Sequence, residues 1–452
     1  MDKDQIINAI QEGKHTKVKV ALVDIDGVLR GKYMHRDKFL SAMDDGFGFC
    51  SVVFGWDMED KDYTNDIKVT GWHTGYGDFD ARVDLNTFRT IPWEKDTPFF
   101  LVDFKNDKAE DLAVCPRSLL RKVIDQAQNR DFRPMFSQEF EWFNYRETSD
   151  SLHEKTYQDI QPLTPGMFGY SILRMSENQA YFDDLFHLLE GFGVPLEGLH
   201  TETGPGVTEA AIQYSGILEA ADRAVLFKSA VKEIGYRHGI IPSFMAKQTS
   251  ALPGCGGHIH QSLWDSTGKE NLFYDEKATD GMSPLMKHFL AGQLKCLPEI
   301  LPMFAPTINS FKRLVIGAWA PINQTWGHDN RTCSLRVLAT KRKSTRIEHR
   351  VVGSDVNPYL AMAACLSSGL YGIKHQLHLG TPETKANGYA VKKGLLPTNL
   401  WEASQKMKRS QIAKELFGDA FVDHFTKTRE WEWQQFSAEV TDWETKRYFE
   451  II

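Results

Sequence analysis

From residue 18 to residue 104 the apolar positions come in short β-branched and aromatic runs broken by Gly, Asp and Asn, a strand-rich pattern. The first of them, "VKVALVDIDGVLRGKYM" (residues 18–34), is an apolar run, Asp26-Gly27 and a second run. That spacing predicts a β-hairpin with Arg30-Gly31-Lys32 on the return strand. Cys115-Pro116 then leads into a predicted helix over Arg117–Gln128. Beyond it, strand and helix patterns alternate to the C-terminus. The clearest helix is Ile217–His238, with Leu218, Ala221, Val225, Ala230 and Ile234 near one face and Gly239 as its stop. Tyr359–Ile373 is apolar nearly all round and follows Asn357-Pro358, which predicts a buried helix. It is shorter than the roughly 20 residues that span a bilayer. The last segment, "REWEWQQFSAEVTDWETKRYFEII", spaces aromatics at helical intervals, with Thr441 and Glu444 as a capping box. It reads as a docked terminal helix, an oligomer contact being the sharper alternative.

With 452 residues the chain exceeds one ordinary core, so two domains are expected, residues 1–110 and 111–452. The net charge of -7 and the absence of any Lys/Arg-rich run argue against a nucleic-acid partner. The N-terminus is polar and mixed in charge, unlike a signal peptide, and no stretch predicts a membrane partner. Six cysteines lie far apart with no CxxC, which disfavours a disulfide framework or structural zinc and favours a reducing compartment, the cytoplasm.

Three strand-like segments place ionisable residues where a core strand would place apolar ones. Residues two apart on a strand share a face. Glu139 and Glu141 do so in "MFSQEFEWF", His258 and His260 in "GGHIHQSL", and Arg346, Glu348 and Arg350 in "TRIEHRVV". A fourth segment, "LHTETGPGVTEAAI", carries Glu202 and Glu209 around a Gly-Pro-Gly break. One such pair is most simply a solvated strand face; four in such apolar surroundings suggest a cavity. Carboxylates gathered there repel one another unless cations sit between them. Four or five carboxylates with at most one imidazole form a hard donor set, suited to Mg²⁺ or Mn²⁺. Downstream, Arg313, Arg331, Arg336 and Lys343 supply cations that match phosphoryl oxygens. There is no GxxxxGK[ST] and no GxGxxG, so a nucleotide would be held by metals and arginines. The residues alone thus describe a metal-dependent phosphoryl-transfer site lined by strands.

These motifs resemble the glutamine synthetase family, over nearly the whole chain and in order: "SQEFEWF", "HTETGPGVTE", "PGCGGHIHQSL", "NSFKRLV", "WGHDNRTCSLRV" and "RIEHRVVGSDVNPYLA". The resemblance implies the fold class α+β, with an N-terminal β-grasp domain packed on a larger α+β catalytic domain whose strands line the active-site cavity. It implies that Glu141, Glu202 and Glu209 hold one divalent ion and Glu139, His258 and Glu348 a second. Glu197, His260, Ser262, Lys343 and Arg346 then fall around ATP, together with Arg331. Arg331 and Arg336 match the groups that stabilise the transferring phosphoryl, with Glu348 beside them. Arg313, Arg350 and the Gly254 backbone match the acid-substrate site, next to Glu141. The implied reaction is attack of a glutamate carboxylate on ATP, then displacement of phosphate by an amine. Implied too is a ring-stacked homo-oligomer, often a dodecamer, with each site shared between neighbours.

Two departures bear on the amine. Ammonia-using members carry an aspartate in one loop and a glutamate on a flap. Here those positions fall on Phe49 in "GFGFCSVVFGWDMED" and Trp319 in "GAWAP". An aromatic wall favours an amine with an apolar body over ammonium, whose charge is costly to strip of water. The expectation is therefore a γ-glutamylamide ligase acting on glutamate and a small primary amine. Asp57, Glu59 or Asp60 could supply the missing base, and an aromatic cage could hold an alkylammonium. Pro253 and Val207 replace a common Asn and Gln near the acid site. No loop for regulatory adenylylation is recognisable near "VKKGLLPTNLWEA". The rivals are an ammonia-using glutamine synthetase, a catalytically silent structural member, and a phosphatase of haloacid-dehalogenase type. That last reading would make Asp24 of Asp24-Ile25-Asp26-Gly27-Val28 the nucleophile and Asp26 the general acid.

Overall fold

The computed structural model describes residues 1–106, 108–339 and 341–452. Its N-terminal strands are β1 (Lys17–Val23), β2 (Leu29–His35), β3 (Phe47–Cys50), β4 (Asp78–Val83), β5 (Arg89–Ile91) and β6 (Thr97–Lys105). They form a mixed sheet in the order β2-β1-β6-β4-β3, with β5 on β6. The β1/β2 pair is antiparallel and the β1/β6 pair parallel, the arrangement expected at the centre of a β-grasp sheet.

The first hairpin answers the phosphatase reading. Asp24 Oδ1 accepts the backbone N–H of Asp26 (3.0 Å) and of Val28 (2.9 Å), and its Oδ2 pairs with Arg30 Nε at 2.9 Å. Buried and fully engaged in its own turn, Asp24 is a structural residue. Gly27 sits at φ +84, and a Cβ there would lie 2.9 Å from Asn357 Cα, so only glycine fits.

The remaining strands are β7 (Phe132–Tyr145), β8 (Leu196–Thr201), β9 (Val207–Ile212), β10 (Ser215–Gly216), β11 (Ile241–Ser243), β12 (Ile259–Asp265), β13 (Trp326–His328), β14 (Leu335–Leu338) and β15 (Arg346–His349). They make a second sheet, β13-β14-β15-β12-β7-β9-β8, with β10 and β11 also on β7. Alternation along β7 sets its two faces. Phe140 and Trp142 point into the core, where both rings meet Phe227 of helix Ile217–Arg237 (5.6 and 5.5 Å). Glu139 and Glu141 therefore point to the other face.

Predicted helices recur within a residue at each end: Pro116–Gln128, Ile217–Arg237 and Pro358–Lys374. Asn357 caps the last, its side-chain oxygen accepting from Tyr359 N at 3.0 Å. The docked terminal helix divides in two. Asp419–Ala438 is docked through Phe421, Val422, Phe425 and Trp431, whereas Asp442–Tyr448 buries no residue. The Thr441/Glu444 capping box does form. Trp443 packs instead on Tyr448, 5.8 Å away, which leaves that turn without a core face.

A buried ionic network joins the two sheets' domains. Arg117 donates to Asp103 on β6 (2.8 Å), to Asp84 (2.9 Å) and twice to Asp222 (2.9 Å), while Tyr359 Oη donates to Asp222 at 2.6 Å. Removing one partner of such a set strands a buried charge, at a cost of about 3–5 kcal/mol.

Candidate active site

Strands β7, β9, β8, β12, β15 and β14 bring the expected residues to one face of the second sheet. Register does most of this. Glu141 lies opposite Glu209, and His200 opposite Glu209 on the other side. His260 lies opposite Glu348, which in turn faces Arg336. Two groups of donors result.

In the first, His200, Glu202 and Glu209 each offer a ligand atom within 4.8 Å of the others. His200 Nε2 is 3.0 Å from Glu209. Burial, with Glu139 and Glu141 nearby, pushes the Glu209 carboxyl up to about 7. Burial opposes charge on His200 too, but its hydrogen bond to Glu209 lifts it to about 9. The pair retains a proton near neutrality because burial and the neighbouring carboxylates disfavour a further negative charge. His200 was not singled out from the sequence, although His200 and Glu202 are two apart on a strand like the other pairs. Glu141 stands across the ladder, its carboxylate accepting Gly256 N–H at 2.7 Å.

In the second, Glu139, His260 and Glu348 lie within 4.8 Å of one another. His258 joins them, with Nδ1 3.2 Å from Glu139 and 3.5 Å from Glu348. Glu348 pairs with Arg336 at 2.8 Å and with Arg350. Burial works against the Glu348 charge, yet Arg350 and the two imidazoles bring its carboxyl down to about 2. Burial also opposes charge on Glu139, and hydrogen bonds from His258 and His260 outweigh it, holding that carboxyl well below its ordinary range.

Arg313 is buried at the end of helix Ile308–Arg313 and donates to the carbonyls of Val351 (3.0 Å) and Arg350 (3.1 Å). Gly254 lies against it: a Cβ there would come within 2.6 Å of the Ala246 carbonyl and 2.8 Å of Arg313 Cγ. Arg346 Nε donates to His260 Nδ1 at 3.1 Å, and Ser262 lies one strand position further along the same face, where its hydroxyl accepts from Trp264 at 3.0 Å. Arg331, Lys343 and Glu197 are exposed.

The aromatic positions are less tightly drawn in. Trp319 is 64 % exposed on its flap, at φ +57. Phe49 packs edge-on to Phe104 at 5.8 Å within the N-terminal sheet. Among the described residues, none of the clustered carboxylates, imidazoles or arginines is hydrogen bonded to residues 1–110. Asp57 accepts from Glu59 N, Lys61 N and Trp431 Nε1, Glu59 pairs with Lys61 at 3.0 Å, and Asp60 pairs with Arg30, so all three candidate bases are engaged elsewhere. A further aromatic, Tyr170, went unread in the sequence. Its ring stacks on His200 at 4.3 Å, at φ +54, with the loop clipped to Thr201.

Carboxylates that hold back protons when crowded are the donor chemistry of a divalent-cation cradle, and both groups fit Mg²⁺ or Mn²⁺. With arginines on one side, the face has the equipment of a metal-dependent phosphoryl-transfer site. The comparisons agree. A family model described as glutamine synthetase, catalytic domain, matches residues 113–448. The type-1 glutamine synthetase 2 of Dictyostelium discoideum is 53% identical over 100% of this chain and 87% of its own. A glutamate–isopropylamine ligase from a Pseudomonas species is 34% identical over 100% of this chain and 99% of its own. Among solved structures, a GmaS/ADP complex superposes with a TM-score of 0.85 at 25% identity, covering 98% of this chain and 99% of that one. The chain belongs to the glutamine synthetase family. It is an ATP-dependent ligase of that type, joining glutamate to an amine. Among the described residues no helix is long and apolar enough to cross a membrane.

Proposed function

We propose that this ligase makes a γ-glutamylamide from a primary amine larger than ammonia. Arg313, Arg350 and the Gly254 backbone hold the acid. Glu141, Glu202 and Glu209, with His200, and Glu139, His258 and Glu348 hold divalent ions, which when bound offset charge on the nucleotide phosphates. Glu197, His260, Ser262, Lys343 and Arg346 flank the nucleotide. Arg331 and Arg336 steady the phosphoryl group as the glutamate γ-carboxylate attacks it. The amine then displaces phosphate from the acyl phosphate. Positioning and charge neutralisation carry both steps.

The observation that carries the amine assignment is the exposed Trp319 on the flap, where an ammonium-binding carboxylate would be expected. Tyr170 beside His200 adds a second aromatic surface. Phe49 adds a third if, in a ring-shaped homo-oligomer, a neighbour's N-terminal sheet closes the site; we read the assembly as a dodecamer. All six cysteines are unpaired, in keeping with the cytoplasm. The second reading, an ordinary glutamine synthetase, is favoured by the 53% identity to a protein of that name. ATP-dependent phosphate release with glutamate and ammonium, isopropylamine, ethanolamine, putrescine or aniline separates the two. The largest kcat/KM is expected with one of the organic amines; if ammonium has it, the proposal fails.

A further inference from the structure

The Asp24–Gly27 turn lies outside the site, yet two buried attachments tie it there. One runs through Arg429 of helix Asp419–Ala438. Its guanidinium pairs with the Asp26 carboxylate, both side chains being at most 5% exposed. Its Nη1 also donates to the Pro306 carbonyl at 2.8 Å. Pro306 immediately precedes Thr307, the N-cap of helix Ile308–Arg313, which ends in Arg313. The other runs through Asn357, whose Nδ2 donates to the carbonyls of Asp24 (3.0 Å) and Ile25 (3.3 Å).

Both attachments end on the parts that carry Arg313 and Arg350. Thr307 Oγ1 and Ser310 Oγ both donate to Asp355 Oδ2, at 2.8 and 2.6 Å. Asp355 lies between Arg350, on the strand end, and Asn357. Helix Ile308–Arg313 has only six residues. A helix that short has no stability of its own in water, so contacts from outside set its orientation. Its N-terminal end is held by Arg429 and Asp355, and its C-terminal end presents Arg313.

We propose that Arg429 is a positioning residue for the acid substrate. It references the start of the Arg313 helix to the N-terminal turn, and so fixes where the Arg313 guanidinium meets a glutamate carboxylate. The proposal rests on the reading of Arg313 as an acid-holding group. A fork is needed for this task. Arginine reaches Asp26 and Pro306 with separate nitrogens, whereas a lysine ammonium in its place would keep the Asp26 pair and lose that fixed two-point geometry.

The test uses the full-length chain with hydroxylamine as the amine, so that γ-glutamyl hydroxamate reports acid activation without knowledge of the natural amine. For Arg429→Lys the KM for glutamate is expected to rise by about tenfold or more, since small misplacements of a binding group have large effects. The KM for ATP should stay within about twofold, because Arg346 and Lys343 lie on other elements. A merely structural role would lower the melting temperature and the active fraction but leave the glutamate KM unchanged, and that result overturns the proposal. Should Arg429→Lys fail to fold, Asp26→Asn keeps the shape of the pair and carries the same expectation, an unchanged glutamate KM again overturning it. Arg313→Ala separates the two layers. If it leaves the glutamate KM unaltered, the acid-site reading falls and this inference with it. If it raises that KM while Arg429→Lys does not, this inference alone falls.

Discussion

The two donor groups on the catalytic sheet sit side by side but are built on opposite electrostatic plans. Around Glu139 and Glu348 the charge is settled by the protein itself: two imidazoles and two arginines hold both carboxyls ionised. Around Glu202 and Glu209 it is not. There His200 pairs with Glu209, whose carboxyl burial pushes up to about 7. Both groups offer the donors of a divalent-ion site, but only the group around Glu348 also has arginines paired to its carboxylate. The group around Glu209 is also the one beside Tyr170, whose ring stacks on His200.

The sharpest way to break this contrast is Glu348→Ala. It leaves Arg350 buried without its anion, while Arg336 keeps its pairing with Asp329, so we expect a stability loss of about 3 kcal/mol in urea unfolding. Turnover should fall by at least about 10²-fold in a phosphate-release assay. His200→Ala addresses the other half. The fold should persist, and Mn²⁺ titration should show roughly 10–100-fold weaker apparent affinity, the usual effect of removing a group that orients ligands. Trp319→Glu restores a carboxylate to the flap, and the ratio of kcat/KM for ammonium to that for an alkylamine should rise by about tenfold or more. The smallest effect concerns Lys228, behind the sheet, whose ammonium donates to Val356 O at 3.1 Å and faces the Phe140 and Phe244 rings. Burial, then Lys232 close by, bring it down from 10.5 to about 7, against the pull of Asp355. A lysine neutral when folded takes up a proton on unfolding, so stability is full above 10.5 and declines as pH falls to about 7. Lys228→Met should flatten that slope in urea midpoints measured across this range.

Legibility followed distance along the chain. Glu139/Glu141, His258/His260 and Arg346/Glu348 were readable because a strand's two-residue period is local. The first hairpin, Asp26-Gly27 included, was readable for the same reason. His200 carried the same signal beside Glu202 and was passed over. Tyr170 had none: it lies in a loop, and its ring reaches His200 because Thr201 holds that loop from thirty residues away. The undocked Asp442–Tyr448 turn was misread because aromatic spacing fits a docked face as well as two rings that pack on each other. The arrangement of Asn357 and Arg429 around the first turn depends on partners several hundred residues distant, which no local pattern encodes.

The Asp26–Arg429 pair spans 403 positions of sequence. At typical synthesis rates, roughly 20–80 s separate the appearance of its two halves on a ribosome. Throughout that interval the turn lacks the Arg429 guanidinium, although the strands that flank β1 are already made. The Asp24–Gly27 turn therefore gains its last buried contact only after residue 429 has been made. Trimming the C-terminus back past residue 429 would be felt first at the other end, in a turn that had been waiting for it.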